Sequence, residues 1–286
     1  MFKSNNEYTK KATILIPYYN NSKTISMPLK SFLKLKYPHK LLKIIICDDC
    51  SNIEGEYEKL NEIVQEYRKH FDITVYQNKA NVGLALNRAA LFNHLLKEKD
   101  IEYFTFVDAD DKLKPKFFNC CFNVQIKNDY KYDVVCAYNC KLNLNCFEKK
   151  LIKSLELDFW TMWGKLYKTS WYVQTNYTEK YANIAEDLMF WYKNMNIEKK
   201  IFITWKKLYI WVKNHNSMTK NKNKLNDNIL DLYKNMENIL KNKSYWFFKT
   251  FFKSQKKSVR NKLQNYFQSK GSEIYEDFKK ALNTAI

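Results

Sequence analysis

The chain has 286 residues, of which 45% are hydrophobic, 28% charged and 16% aromatic, and its formal net charge is +19. That length holds one large domain or two modest ones, and the apolar content excludes a chain that is mostly disordered. Four glycines and four prolines exclude collagen-like and Pro-rich architectures and argue against a many-stranded barrel rich in tight turns.

Residues 12–16 (ATILI) predict a short buried strand ending at Pro17, after which Ser22 or Thr24 would cap a helix through Leu29, Leu33 and Leu35. A second buried strand runs from Lys43 to Cys47 and ends in Asp48-Asp49. Residues 54–70 predict a helix, with Tyr57, Leu60, Ile63, Val64 and Tyr67 at three- and four-residue spacing. Residues 72–76 predict a strand, 83–97 a helix carrying Leu84, Leu91 and Leu95, and 103–107 (YFTFV) another apolar strand ending at Asp108. This alternation is that of a parallel α/β sheet. Further on, 133–137 predict a strand, 184–195 a helix with Glu186-Asp187 in its first turn, and 207–213 a last strand. Negative charge at that first turn suits the helix dipole. From about residue 221 the chain becomes Lys- and Asn-rich and helical in pattern.

Each apolar strand ends in a polar cluster: Pro17-Tyr18-Tyr19-Asn20, Asp48-Asp49, and Asp108-Ala109-Asp110-Asp111. A single such cluster reads equally as a solvated turn. Three in succession point to a crevice, because open α/β sheets bind ligands outside the carboxyl ends of their strands. Asp108 and Asp110, one residue apart at a strand end, can jointly hold Mg²⁺ or Mn²⁺, hard cations that prefer oxygen. Such an ion can bridge a diphosphate and neutralise charge as it leaves.

Taken together, Ile14-Leu15-Ile16-Pro17-Tyr18-Tyr19-Asn20, Ile45-Ile46-Cys47-Asp48-Asp49-Cys50-Ser51, Asn81-Val82-Gly83, Phe106-Val107-Asp108-Ala109-Asp110-Asp111 and Glu186-Asp187 resemble the family 2 glycosyltransferases of the GT-A fold. The resemblance covers most of residues 12–220. The stretch Trp160-Thr161-Met162-Trp163-Gly164-Lys165-Leu166 looks most like bacterial lipooligosaccharide β-1,3-galactosyltransferases. The resemblance implies an α/β, Rossmann-like GT-A domain over 1–220, its mostly parallel sheet flanked by helices; the Lys-rich, helical pattern beyond it reads as a helical basic extension over 221–286. It implies inverting transfer from a UDP-sugar, galactose favoured over glucose or the N-acetylhexosamines, to a cell-surface glycan such as lipooligosaccharide or capsule, with Mn²⁺ or Mg²⁺ as cofactor. By family role Asp49 would bond the uracil, with Pro17, Tyr19 and Asp48 lining the nucleoside pocket. Asp108 would hold the ribose or the metal, Ala109 would lie on the donor side and Asp110 would ligate the metal. Asp187 would be the base that takes the acceptor proton. Arg88 reads either as a diphosphate contact or as a helix-surface residue, and His215 either as a metal or diphosphate ligand or as part of a polar loop. Trp160, Trp163 and Lys165, with Glu186, would form the acceptor wall, or the aromatic residues would simply pack in the core. One departure is Cys50, where the family's Asp-Asp-Gly-Ser turn has glycine, so a differently shaped turn is expected.

The basic charge is almost all lysine, the arginines being Arg68, Arg88 and Arg260. It reflects either a Lys/Asn compositional bias or attraction to an anionic surface. A nucleic-acid-binding protein is the rival class. No helix-turn-helix, zinc-finger or RRM signature supports it, and arginine, the better phosphate fork, is scarce. In the tail, Phe248, Phe252, Val259, Leu263 and Phe267 recur at helical spacing among lysines. That stripe suits an interfacial membrane helix, or packing on the catalytic domain or on a second subunit as a dimer contact. No run approaches the ~18 apolar residues of a bilayer span, and the apolar run at 12–16 is too short for a signal-peptide core. The expectation is a cytoplasmic enzyme on the inner face of the membrane, acting on a saccharide or lipid-linked acceptor, its seven cysteines reduced. The lone Cys47-x-x-Cys50 lacks the second pair that a zinc site needs.

Overall fold

The computed structural model describes residues 8–137, 161–175, 177, 186–194, 197–204, 206–212, 233–234, 236–237, 239–242, 248–249, 252 and 257–283. The described residues fall into two compact units. One lies within Met1–Asn139, Thr161–Lys180 and Asn194–Asn214, the other within Cys140–Trp160, Tyr181–Lys193 and His215–Ile286.

The strands of the first unit are β1 (Ala12–Tyr18), β2 (Leu42–Asp48), β3 (Asp72–Gln77), β4 (Tyr103–Phe106), β5 (Lys112–Leu113), β6 (Val134–Cys136), β7 (Lys165–Lys168), β8 (Ile201–Ile203) and β9 (Tyr209–Ile210). Its helices are α1 (Ser26–Phe32), α2 (Glu56–Gln65), α3 (Leu84–Leu95), α4 (Phe117–Lys127) and α5 (Thr169–Tyr172). Seven strands form one sheet in the order β3-β2-β1-β4-β7-β6-β8. All neighbours are parallel except β7, which runs antiparallel to both β4 and β6. The expected α/β, mostly parallel sheet flanked by helices is therefore the fold. Ile14, Ile16, Ile44 and Ile46 are fully buried in one core with Leu29 and Phe32 of α1, Leu60 and Val64 of α2, and Phe118 and Phe122 of α4. A parallel sheet covered on both faces reads as continuous apolar runs rather than alternation, and each fully buried side chain of this size contributes about 1.5–3 kcal/mol.

Three differences from the sequence expectation have local causes. First, β1 does not stop before Pro17 but carries it in register opposite Cys47. Leu15 accepts the Val107 N–H at 3.0 Å, so Pro17, two residues on, lacks its donor on the side where β4 has already ended. Second, neither Ser22 nor Thr24 caps α1, which starts without a side-chain cap. Ser22 gives its backbone N–H and its hydroxyl to Glu56 at 2.7 and 2.8 Å. Third, the strand expected at 207–213 is the two-residue β9, paired antiparallel to β5 in a separate ribbon, and β8 extends the main sheet where no strand was expected.

In the second unit lie α6 (Glu186–Lys193), α7 (Lys257–Gln268) and α8 (Ser272–Asn283). Phe248, Leu263, Phe267 and Phe278 are buried. The ring of Phe248 meets those of Phe252, Phe267 and Phe278 at centroid distances of 6.0, 5.5 and 5.7 Å. Glu237 accepts the Tyr266 hydroxyl at 2.9 Å and pairs with Lys241 at 2.8 Å. Phe248, Phe252, Leu263 and Phe267 of the tail's aromatic stripe are thus buried within this unit, a use that was not among those expected of it. Among them no helix is long and apolar enough to cross a membrane.

Candidate active site

Because β1, β2 and β4 are parallel neighbours, their carboxyl ends share one edge of the sheet. Chain order reverses there, since β2 and β3 lie on one side of β1 and β4 on the other. Such a switch point opens a crevice between diverging loops.

The loops after β1 and β2 brace each other. Asn20 adopts a left-handed φ of 52°, a conformation that Asn tolerates. Its backbone N–H reaches the Ser51 hydroxyl at 2.8 Å and its side-chain amide donates to Asn52 at 2.7 Å. Asp48, fully buried, accepts the Ser51 hydroxyl at 2.5 Å and the Gln77 amide at 2.9 Å. Cys50 stands at φ 55°, the conformation that a glycine adopts freely, so this turn keeps a glycine's geometry without the glycine. Beneath it, Glu56 accepts the Tyr18 hydroxyl at 2.7 Å and the two Ser22 donors. Burial pushes the Glu56 carboxyl up, but those hydrogen bonds outweigh it and hold it below the ordinary glutamate value.

Asp49 looks the other way. Its carboxylate accepts Asn78 Nδ2 at 2.9 Å and the backbone N–H groups of Val82 and Gly83 at 3.0 and 2.8 Å. It thereby anchors the turn that leads into α3, where Gly83 sits at φ 86°, ψ 163°, a region open to glycine. Asn78 also donates to Asn87, and Asn87 to the Cys47 carbonyl at 3.0 Å. Burial, then the charges of Asp49 and Asp48, push the Cys47 thiol up to about 12, so it is an inert core thiol.

The third loop carries Asp108, Asp110 and Asp111. Arg88 of α3 is buried and pairs with Asp108 at 3.2 Å, so of its two readings the helix-surface one fails. Asp111 is fully buried and accepts the Tyr209 hydroxyl at 2.7 Å and the Val212 N–H at 2.8 Å. The Tyr209 oxygen in turn accepts the Asp108 N–H at 3.2 Å. The Tyr209 ring stacks on Trp163 at 4.5 Å and 16°, and Trp163 forms a bridge to Phe106 at the end of β4. Burial first, and then the neighbouring charge of Asp108, push the Asp111 carboxyl up to about 7.

That crowding of like charge is the observation against which a metal is tested. Three carboxylates lie within four residues, Asp108 paired with Arg88, and the charges of Asp108 and Asp110 both add to the upward push on Asp111; a divalent cation would relieve such crowding. Among the described residues no three His, Cys, Asp or Glu side chains converge into a closed metal cage. An open oxygen site on the partly exposed Asp108 and Asp110, completed by phosphate oxygens and water, is the form that Mg²⁺ and Mn²⁺ accept. The residues fit the ion.

Of the other expected residues, Pro17 is buried within β1, Tyr19 is half-buried at its end and Ala109 is buried in the acid loop. Lys165 is buried, its ammonium turned onto the carbonyl and hydroxyl of Thr161, and Trp163 is occupied by Tyr209. Glu186 and Asp187 open α6 in the second unit. His215 and Trp160 lie outside the described residues. The sequence reading missed Glu56, Asn78, Asn87 and Tyr209. Each is an ordinary helix, strand or loop residue by pattern, and only the pairing of distant segments gives it a partner.

The sequence model of Glycosyl transferase family 2 matches residues 13–184. Over 101 residues the chain is 31% identical to the poly(ribitol-phosphate) beta-N-acetylglucosaminyltransferase TarS of Staphylococcus aureus, covering 35% of this chain and 16% of TarS. Over 110 residues it is 31% identical to the poly-beta-1,6-N-acetyl-D-glucosamine synthase of Staphylococcus epidermidis, covering 38% of this chain and 24% of the synthase. These sequence matches thus span a quarter or less of each relative's length. The solved structure of TarS 1–349 in complex with UDP-GlcNAc superposes with a TM-score of 0.63 at 17% identity, over 91% of this chain and 80% of that one. The mannosyltransferase PcManGT from Pyrobaculum calidifontis, in complex with GDP-Man and Mn²⁺, gives 0.55 at 14% identity, over 96% and 79%. At these identities the structural likeness is one of fold.

Proposed function

The chain belongs to glycosyl transferase family 2, and from that premise we propose that it moves N-acetylglucosamine from UDP to a hydroxyl of a cell-surface glycan, inverting the anomeric centre in one displacement. That it is a glycosyltransferase follows from the family. The choice of sugar is supported by two relatives named for N-acetylglucosamine. The galactose favoured by the sequence reading finds no support among these relatives.

The observation that carries the proposal is the placing of Asp48-Asp49 and of Asp108-x-Asp110 on the loops that flank the β1–β4 switch point. The nucleoside would lie at the braced loops after β1 and β2, against Pro17, Tyr19 and Asp49. Asp110 and Asp108 would hold Mn²⁺ or Mg²⁺, which when bound neutralises charge on the departing nucleotide. Arg88, fixed by Asp108, sets the direction of that carboxylate and adds positive charge beside the diphosphate. Asp187, in the first turn of α6, would take the acceptor proton, with Glu186 beside it on the acceptor side and His215 as a further metal ligand. The acceptor would be a saccharide or polyol chain, lipid-linked or polymeric, met at the cytoplasmic face of the membrane. With Phe248, Phe252, Phe267 and Phe278 packed inward, membrane contact would rest on lysines, each adding about 1 kcal/mol near an anionic surface.

The test is UDP release with Mn²⁺ across a panel of UDP-sugars, comparing the wild type with Asp187→Asn, alongside calorimetry of UDP. The expected result is turnover of UDP-N-acetylglucosamine that Asp187→Asn loses while still binding UDP. Turnover of UDP-galactose alone would overturn the sugar assignment, and a wild type that binds no UDP would overturn the donor.

A further inference from the structure

The chain is 16% aromatic, yet among the described residues only one aromatic side chain is exposed. That residue is Trp211, at 46%. A single exposed apolar residue needs no explanation in general. The position of this one does. Trp211 lies between Tyr209 and Val212, and both hold the acid loop, Tyr209 through Asp111 and the Asp108 N–H, Val212 through Asp111 at 2.8 Å. The Trp211 backbone is thus fixed one peptide from a group bonded to the acid loop. Ile210, on its other side, is fixed in the β5–β9 ribbon opposite Lys112. Of the expected wall, Trp163 already stacks on Tyr209 and Lys165 is turned onto Thr161.

An indole carried on a backbone fixed on both sides and left half in water offers a surface to a flat apolar face, and the C–H face of a pyranose is such a partner. The protein backbone loses little freedom on forming the contact, because the anchoring hydrogen bonds already fix the segment. We propose that Trp211 is the platform on which a pyranose ring of the acceptor stacks beside the acid loop. The proposal rests on the reading of the chain as a UDP-sugar transferase, and its partner class is a saccharide rather than a lipid or a protein.

The test uses the full chain labelled with 5-fluorotryptophan, with Trp211→Phe identifying the Trp211 fluorine resonance. Methyl β-N-acetylglucosaminide, methyl β-galactoside and N,N′-diacetylchitobiose are titrated in the presence of UDP and Mn²⁺. The expected result is a saturable shift of the Trp211 resonance with at least one of them. That saccharide should bind about fivefold or more weakly to Trp211→Ala, read by saturation transfer to the ligand, while Trp211→Phe retains binding. A resonance unmoved by every saccharide, or undiminished binding to Trp211→Ala, would overturn the platform. UDP calorimetry on the same samples separates the two readings. Bound UDP with a silent Trp211 sinks the stacking alone, and absent UDP binding sinks the donor reading itself.

Discussion

The Tyr209 hydroxyl donates to Asp111 at 2.7 Å and accepts the backbone N–H of Asp108 at 3.2 Å. One phenol thus spans the acid loop, joining its first residue to its last and both to the β5–β9 ribbon. The ring behind that hydroxyl is fully buried and stacked on Trp163, so the oxygen has little freedom to move. A loop held this way keeps its exposed carboxylates aimed although their charges repel.

Tyr209→Phe removes the oxygen and preserves the stacked ring. It leaves Asp111 with a single backbone donor and the Asp108 N–H without its acceptor. The expected cost is about 1–3 kcal/mol by urea denaturation. The Mn²⁺ concentration that supports UDP binding should rise, because the carboxylates of the loop are no longer held in place. Unchanged stability together with unchanged Mn²⁺ dependence would refute the clamp.

Asp49→Asn replaces one carboxylate oxygen with an amide that itself donates, set against three donors from Asn78, Val82 and Gly83. Bonds to a charged acceptor are worth about 1.5–3 kcal/mol, so the variant should lose roughly that much. Hydrogen exchange at Val82 and Gly83 should accelerate. Protection retained at both amides would show that the turn does not depend on Asp49.

At Cys50 the left-handed φ of 55° sets the sign of two substitutions. A β-branched side chain tolerates that region worst, so Cys50→Val should cost about 1–2 kcal/mol. Cys50→Gly removes the strain but gives the unfolded chain more freedom, so it should hold stability level or raise it by up to about 1 kcal/mol. Thermal melts of the two variants moving in the same direction would contradict this account.

Glu56 gives a pH dependence with a definite sign. Its carboxyl is held below the ordinary 4.5 by Tyr18 and Ser22 despite burial. A depressed folded value stabilises the fold above the unfolded value, and that contribution is lost as pH falls through the folded value. Glu56→Gln should therefore be less stable at neutral pH, and its stability should fall less steeply than the wild type's as pH drops below about 4.5. Parallel acid limbs would place the proton uptake elsewhere.

The tail's aromatic cluster sets the last expectation. Phe278 is buried and meets Phe248, Phe252 and Phe267 at 5.7, 5.6 and 5.3 Å. Phe278→Ala should destabilise the second unit by about 3–5 kcal/mol, seen as faster hydrogen exchange in α7 and α8. Exchange unaffected by the substitution would mean that the cluster contributes no packing.

Much of the architecture was legible in sequence. The apolar runs at 12–16, 43–47 and 103–107 could bury themselves only in a covered parallel sheet, and their polar endings then had to share an edge. Both follow from local composition, because burial of a whole strand and the period of a helix are properties of a short window. The acid pair Asp108-x-Asp110 was likewise visible, since two carboxylates at a strand end need no distant partner to be recognised.

What a window of sequence cannot hold is the identity of a distant partner. Adjacent Asp48 and Asp49 look equivalent on paper, yet one closes its own turn with Ser51 and the other anchors a turn some thirty residues away. The hydroxyl that aligns the acid loop comes from Tyr209, 98 residues beyond Asp111. Trp163 and Trp211 are equally apolar as residues. Packing turned the first onto Tyr209 and left the second facing water. Sequence by itself determined the first four strands of the parallel sheet, the sheet class and the family, because these rest on local apolar periodicity and short motifs. Only the tertiary structure decided which carboxylate is spent on architecture and which aromatic ring stays exposed, because burial and hydrogen-bond partners are set by segments that meet only on folding.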